Sequence, residues 1–216
     1  MAREKTFIAI AGNIGTGKTT LTRLLSERLG WIPYFEAIHG NPYLADFYRD
    51  MRRWSFPLQV FFLTHRFQAH QKIVQSQNSA VQDRSIYEDA HVFARNLYEQ
   101  GNMEERDYRN YLCLYDIMCH EIEPPELIIY LKKSLPCLKN RIQLRGREFE
   151  QAIPDEYLLS LNSYYDEWME NYAFGKKLII PSDHLDFIEN RKDLEELIGQ
   201  ILEALDQKDL FLKPSV

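Results

Sequence analysis

Gly12-Asn13-Ile14-Gly15-Thr16-Gly17-Lys18-Thr19-Thr20 fits the pattern G-x-x-x-x-G-K-[ST] without a mismatch. The apolar, β-prone segment Thr6-Phe7-Ile8-Ala9-Ile10-Ala11 precedes it, and Leu21, Leu24, Leu25 and Leu29 follow at helical spacing. A strand, a glycine-rich turn and a helix in that order predict a loop whose backbone N–H groups converge on a polyphosphate. The positive end of the helix dipole adds to the attraction. Lys18, expected at a solvated helix start, reaches the terminal phosphates in such a loop, and the Thr19 hydroxyl sits on Mg²⁺. The motif implies a nucleoside triphosphate and leaves the phosphate acceptor open.

Outside this stretch, 216 residues suit one α/β domain over 1–216 with a full core. A net charge of −6 argues against a nucleic-acid groove or an anionic membrane as the main partner and favours small soluble ligands. The cysteines Cys113, Cys119 and Cys137 form no C-x-x-C pair, which fits a reducing cytoplasm and suggests neither a disulfide framework nor a zinc site. Met1 to Lys5 carry no apolar run and no segment approaches the length of a membrane span, so neither export nor anchoring is expected.

Downstream, Ile32-Pro33-Tyr34-Phe35 reads as a strand ending at Glu36. Residues 43–52 read as a short helix and 56–75 as a long one with Pro57 in its first turn. Gln59 and Arg66 fall on one face of the long helix. Residues 79–82 form a strand ending in Asp83-Arg84-Ser85, followed by helices over 87–99 and 104–122. Leu127 to Leu131 reads as a strand buried on both faces. A helix over 136–144, one from Pro154 to Tyr172, a strand over 178–180 and a helix over 191–204 complete the pattern, with a fraying tail over 208–216. This alternation predicts a central parallel sheet of about five strands flanked by helices on both faces, with ligands at the carboxyl ends of the strands.

Three polar features fall where such a sheet gathers a site. Glu36 is a candidate carboxylate to take a hydroxyl proton, or a solvated side chain. Asp83 is a candidate to hold Mg²⁺ directly or through water, while Asp83 or Ser85 equally suits a helix N-cap. Arg141, Arg145 and Arg147 suit a mobile helical lid over about 141–150, unless Glu148 and Glu150 merely neutralise them. His39, His65, His70, His91, His120 and His184 show no metal-binding spacing and are given no ligand role.

With these residues in place the chain resembles the deoxynucleoside kinases of the deoxycytidine/deoxyguanosine kinase type, above all their bacterial deoxyadenosine/deoxyguanosine kinase branch. The blocks Arg53-Trp54-Ser55-Phe56-Pro57-Leu58-Gln59 and Asp83-Arg84-Ser85-Ile86-Tyr87-Glu88-Asp89, and the lid from Arg141 to Glu150, carry the resemblance over nearly the whole chain. It implies an ATP-dependent, Mg²⁺-assisted kinase that phosphorylates a deoxynucleoside 5′-hydroxyl in nucleotide salvage. Glu36 would be the base with Arg84 beside it, Tyr48 and Glu150 would hold the sugar 3′-hydroxyl, and Gln59, Arg66 and Asp89 would read the base edge with Phe93 under its ring. Arg141, Arg145 and Arg147 would clamp the phosphates, and the loop at Asp186-Phe187 would pack on the adenine of ATP. A homodimer is implied as well, for which Phe93, Leu97, Tyr111, Leu114, Tyr115 and Met118 offer a surface if they do not pack in the core.

Ala37 and His39-Gly40-Asn41-Pro42 depart from the animal enzymes, which carry a Pro and a Trp here, and Gly15-Thr16 stands where those enzymes often have Ala-Ala. Because Gln59 and Asp89 suit an exocyclic amine, a purine deoxynucleoside, deoxyadenosine first, is expected, with deoxyguanosine and deoxycytidine open and thymidine poor. The alternatives are a nucleoside monophosphate kinase, whose ionised acceptor needs no base, and a non-catalytic kinase-like subunit, against which the intact Lys18, Thr19, Glu36, Arg84 and lid arginines argue. No N-K-x-D guanine reader of a GTPase is present.

Overall fold

The computed structural model describes residues 5–38, 40–187 and 189–206, so His39 and the tail over 208–216 lie outside the described residues. Strands β1 (Phe7–Ala11), β2 (Ile32–Tyr34), β3 (Ala80–Asp83), β4 (Leu127–Lys132) and β5 (Lys176–Pro181) form one parallel sheet in the order β2-β3-β1-β4-β5. The chain builds one side of β1 first and then crosses to the other, so the strand order reverses at β1. Ligands of such sheets bind in the crevice beyond the carboxyl ends at that reversal.

Alternation along β1 divides the interior in two. Ile8 and Ile10 pack with Leu21 and Leu25 of α1 (Lys18–Leu29) and with Leu194 and Leu197 of α8 (Arg191–Asp206). Ala9 and Ala11 belong instead to a larger apolar cluster with residues of α3 (Met51–Gln75), α5 (Glu105–His120) and α7 (Asp155–Asn171). Helices thus cover both faces, as a parallel sheet requires. Two further helices, α2 (Leu44–Arg49) and α6 (Leu135–Arg145), flank the carboxyl edge.

Three expectations are revised. Helix α3 starts at Met51, where Asp50 caps it by accepting from the Arg53 N–H at 3.1 Å, so Pro57 lies inside the helix and not in its first turn. The helix expected over 87–99 is composite: a 3₁₀ turn (Ile86–Glu88), a π-helical turn (Asp89–Ala94) and the short α4 (Arg95–Glu99). A π turn displaces the following side chains around the helix axis and recurs at functional sites; here it contains Asp89 and Phe93, both buried. Of the residues offered as a dimer surface, Phe93, Leu97, Tyr111 and Tyr115 are buried core, while Leu114 and Met118 are half-buried.

The phosphate loop leaves β1 through Gly12, whose φ of 150° few side chains adopt. A Cβ there would stand 3.0 Å from the Leu131 carbonyl oxygen and 2.8 Å from Thr16 Oγ1. Gly12→Ala is expected to lower the unfolding free energy by about 1–3 kcal/mol and to weaken triphosphate binding. Chemical denaturation and calorimetry check both, and an unchanged midpoint would show that the loop tolerates the methyl group.

Candidate active site

A cavity of about 440 Å³ opens at the carboxyl edge of the sheet, between the phosphate loop, α2, α3, the end of α6 and the 3₁₀ turn Glu148–Glu150. Ile14, Gly15, Gly17, Lys18, Thr19 and Thr20 line its phosphate end. The loop is anchored from behind, where Asn13 Nδ2 donates to the Leu158 carbonyl at 2.8 Å and to Asn162 Oδ1 at 2.7 Å, both on α7. Gly12 and Thr16 complete the turn without lining the cavity. Lys18 is buried, against the expectation of a solvated helix start, and its Nζ donates to the carbonyls of Gly12 at 2.9 Å and Asn13 at 2.7 Å. Burial, followed by repulsion from Arg84, lowers its ammonium to about 7.

Beside it the Thr19 hydroxyl donates to Asp83 Oδ2, while Asp83 Oδ1 is buried with no partner. Burial raises the Asp83 carboxyl, with Lys18 opposing. A hydroxyl and an orphaned carboxylate oxygen at a triphosphate loop fit Mg²⁺, which takes one or two protein oxygens and completes its shell with phosphates and water. No group of three or more His, Cys, Asp or Glu suited to a metal occurs among the described residues.

Glu36 follows β2, and one of its oxygens meets two guanidinium groups. Arg66 Nη2 donates to Oε1, and Arg84 Nε lies 3.1 Å from the same atom. Burial pushes the Glu36 carboxyl up, but Arg84, Arg66 and Lys18 together outweigh it and hold it at about 2. The other arm of Arg66 donates to Asp89, which burial raises to about 7 against the pull of Arg66. Arg84 is the one non-glycine residue with positive φ among the described residues, at 69°, a conformation that costs about 1–2 kcal/mol. Its guanidinium lies 4.4 Å over the Phe93 ring, donates to the Tyr165 hydroxyl at 2.8 Å and pairs with Glu88.

At the other end of the cavity Gln59 and Arg66 share a wall of α3, as their spacing implies, and Gln59 Oε1 is buried without a partner. Tyr48 stacks on Phe149 of the 3₁₀ turn with ring centres 5.7 Å apart, and burial raises its hydroxyl well above the usual range. Arg145 and Arg147 line the cavity and both donate to the buried Glu150, Arg147 at 3.1 Å, while Arg141 lines the mouth. Asp89 lies behind Arg66 and does not line the cavity. Asp186 and Phe187 do not reach it either. The Asp186 N–H donates to Asp193 at 2.9 Å, and Phe187 packs in the apolar cluster under α8.

Several lining residues escaped the sequence reading, among them Ile38, Leu44, Phe47, Leu58, Phe62, Leu144 and Tyr157. Phe62 had a signal, since it stands between Gln59 and Arg66 on the same helical face. The remainder are apolar side chains or a tyrosine at helical spacing, which a core and a pocket wall use alike.

A family profile describing deoxynucleoside kinases matches residues 8–206. The deoxyadenosine/deoxycytidine kinase of Bacillus subtilis (strain 168) is 35% identical over 204 residues, 94% of each chain. The deoxyadenosine kinase of Lactobacillus acidophilus is 37% identical over 207 residues, 92% of this chain and 95% of the relative. Among solved structures, the deoxyadenosine kinase of M. mycoides with the products dCMP and dCDP superposes with a TM-score of 0.82 at 27% identity, covering 92% of this chain and all of the other.

The lowered Lys18 ammonium has a pH consequence for triphosphate binding. Above about pH 7 the free protein holds Lys18 neutral, and an arriving triphosphate restores its charge, so binding takes up close to one proton and weakens by up to about ten-fold per pH unit. Calorimetry at pH 8 in buffers of different ionisation enthalpy reads that uptake directly. Affinity independent of pH between 7 and 9 would show that Lys18 stays charged throughout.

Proposed function

The chain belongs to the deoxynucleoside kinase family, and from that premise we propose that it moves the terminal phosphate of ATP to the 5′-hydroxyl of a purine deoxynucleoside, deoxyadenosine first. The observation that carries this reading is the carboxylate of Glu36, ion-paired with Arg66 and Arg84 in one cavity with the phosphate loop. A nucleoside hydroxyl must lose a proton to become a phosphate ester, and Glu36 is the base for it. Lys18 and the phosphate-loop amides hold the triphosphate, and Arg84, Arg141, Arg145 and Arg147 spread charge over the migrating group. Thr19 and Asp83 hold Mg²⁺, which when bound neutralises charge on the phosphates.

Tyr48 and Glu150 take the sugar 3′-hydroxyl, and Phe93 supports the base. The loop at Asp186-Phe187 packs on the adenine of ATP. The whole acts as one domain over 1–216 with a lid at about 141–150, in a reducing cytoplasm and as a homodimer. Leu114, Ile117 and Met118 on one face of α5 provide apolar surface for that dimer. No described helix is long and apolar enough to cross a membrane.

Glu36→Gln keeps shape and hydrogen bonding but cannot accept the proton. Turnover is expected to fall about a hundred-fold or more while deoxynucleoside still binds. Loss of calorimetric binding together with turnover would make Glu36 a binding residue instead.

Base preference follows from Gln59 Oε1, an unpartnered acceptor in the cavity wall that suits an exocyclic amine and faces a thymine carbonyl unfavourably, with Asp89 acting through Arg66. A mismatch of about 1–3 kcal/mol corresponds to roughly ten-fold to hundred-fold discrimination. Specificity constants for deoxyadenosine, deoxyguanosine, deoxycytidine and thymidine are expected to place deoxyadenosine first and thymidine last. Thymidine in first place would overturn this assignment of the base edge.

A further inference from the structure

Behind Arg84, out of the cavity, lie two fully buried polar side chains with no part in the reading above, Glu88 and Tyr165. Glu88 stands four residues after Arg84, at the end of the 3₁₀ turn, with its Oε2 3.3 Å from Arg84 Nη1 and its Oε1 accepting from the Ser85 N–H at 2.8 Å. The Tyr165 hydroxyl accepts from Arg84 Nη1 at 2.8 Å and donates to Glu88 Oε2, so three groups close a triangle. The Tyr165 ring is fixed in turn, stacked on Tyr130 with centres 5.3 Å apart and edge-on to Phe93 at 6.0 Å.

Two consequences follow from this geometry. The triangle grips the guanidinium by Nη1, while Nε lies 3.1 Å from Glu36 Oε1 without a hydrogen bond to it, and the grip stabilises the left-handed backbone of Arg84. Without a carboxylate behind it, Arg84 has Glu36 as its nearest remaining anion and would close on it in a two-point pair. That pair would occupy the lone pairs a hydroxyl proton needs. Tyr165 also sits on the face of α7 that carries Leu158 and Asn162, the anchors of Asn13. One helix face therefore sets the spacing between the phosphate loop and Arg84.

We propose that Glu88 and Tyr165 are positioning residues for phosphoryl transfer, holding Arg84 off full pairing with Glu36 and in register with the phosphate loop. This rests on the kinase reading above, and turnover of the unmodified protein separates the two: a parent inactive on every deoxynucleoside overturns that reading, whereas an active parent tests this one. The decisive variant is Tyr165→Phe, which removes one oxygen from a stacked slot, measured alone and in an Arg84→Lys background. Alone it is expected to lower kcat about ten-fold with the deoxynucleoside KM changed less than two-fold. In the Arg84→Lys background it should change kcat less than two-fold, because the group it positions is gone.

A merely structural role would cut kcat by the same factor in both backgrounds, and that result overturns the proposal, as does an unchanged kcat for Tyr165→Phe alone. Glu88→Gln is expected to follow the same pattern with a larger loss. If that variant fails to fold, Tyr165→Phe still decides the matter.

Discussion

Glu36 is held between two buried guanidinium groups, and the rest of the site is arranged around that contact. Lys18, Arg66 and Arg84 share the carboxyl edge of the sheet with Glu36, Asp83, Glu88 and Asp89, all of them largely out of water. Such clusters are weak sources of stability, since the desolvation of each ion offsets its attractions, yet removing one partner typically costs about 3–5 kcal/mol. The two apolar clusters on either face of β1 carry the stability. The ion cluster sits at their edge, where β1, β3 and the end of β2 bring distant residues together.

The cluster distributes protons unevenly. Glu36 has Arg84, Arg66 and Lys18 around it and stays ionised well below the usual carboxylate range, whereas burial pushes Asp89 up to about 7 against the pull of Arg66. Lys18 moves the opposite way and also arrives near 7. The signs are physically consistent. A carboxylate raised by burial favours the folded state less as pH rises through its folded value, and an ammonium lowered by burial favours it less as pH falls through its own. Both Asp89 and Lys18 therefore oppose folding near neutrality in the unliganded protein, and a triphosphate removes part of that opposition at Lys18.

How much of this was legible in the sequence depends on how local the information is. The phosphate loop, the strand-end positions of Glu36 and Asp83 and the shared face of Gln59 and Arg66 are set within a few residues, and all reappear in the structure. Lys18 is different: its ammonium turns back onto the Gly12 and Asn13 carbonyls and is buried beneath the loop, so a helix start that reads as solvated is not. Asp50 closes α2 and opens α3, and without that double use Pro57 reads as a first-turn proline. Tyr165 meets Glu88 across 77 residues of sequence, and a tyrosine in an amphipathic helix carries no local mark of such a contact. The Phe187 ring packs in the cluster under α8, a contact with no local mark in the sequence either.

A carboxylate held near 2 is a poor proton acceptor, which invites the objection that Glu36 is unsuited to the role proposed for it. The answer lies in the chemistry of the transferred group. In a loose phosphoryl-transfer transition state the bond to the leaving oxygen is largely broken before the attacking oxygen has gained much bonding, so the attacking hydroxyl becomes strongly acidic only late. What is needed early is an ionised acceptor that orients the hydroxyl without capturing its proton. A low proton affinity guarantees ionisation at every physiological pH, and the hydrogen bond from Arg66 fixes the carboxylate in place. The same two guanidinium groups that depress Glu36 thus make it a rigid, permanently charged guide for the hydroxyl. Proton transfer to it then becomes favourable as the new ester forms and the hydroxyl proton turns acidic.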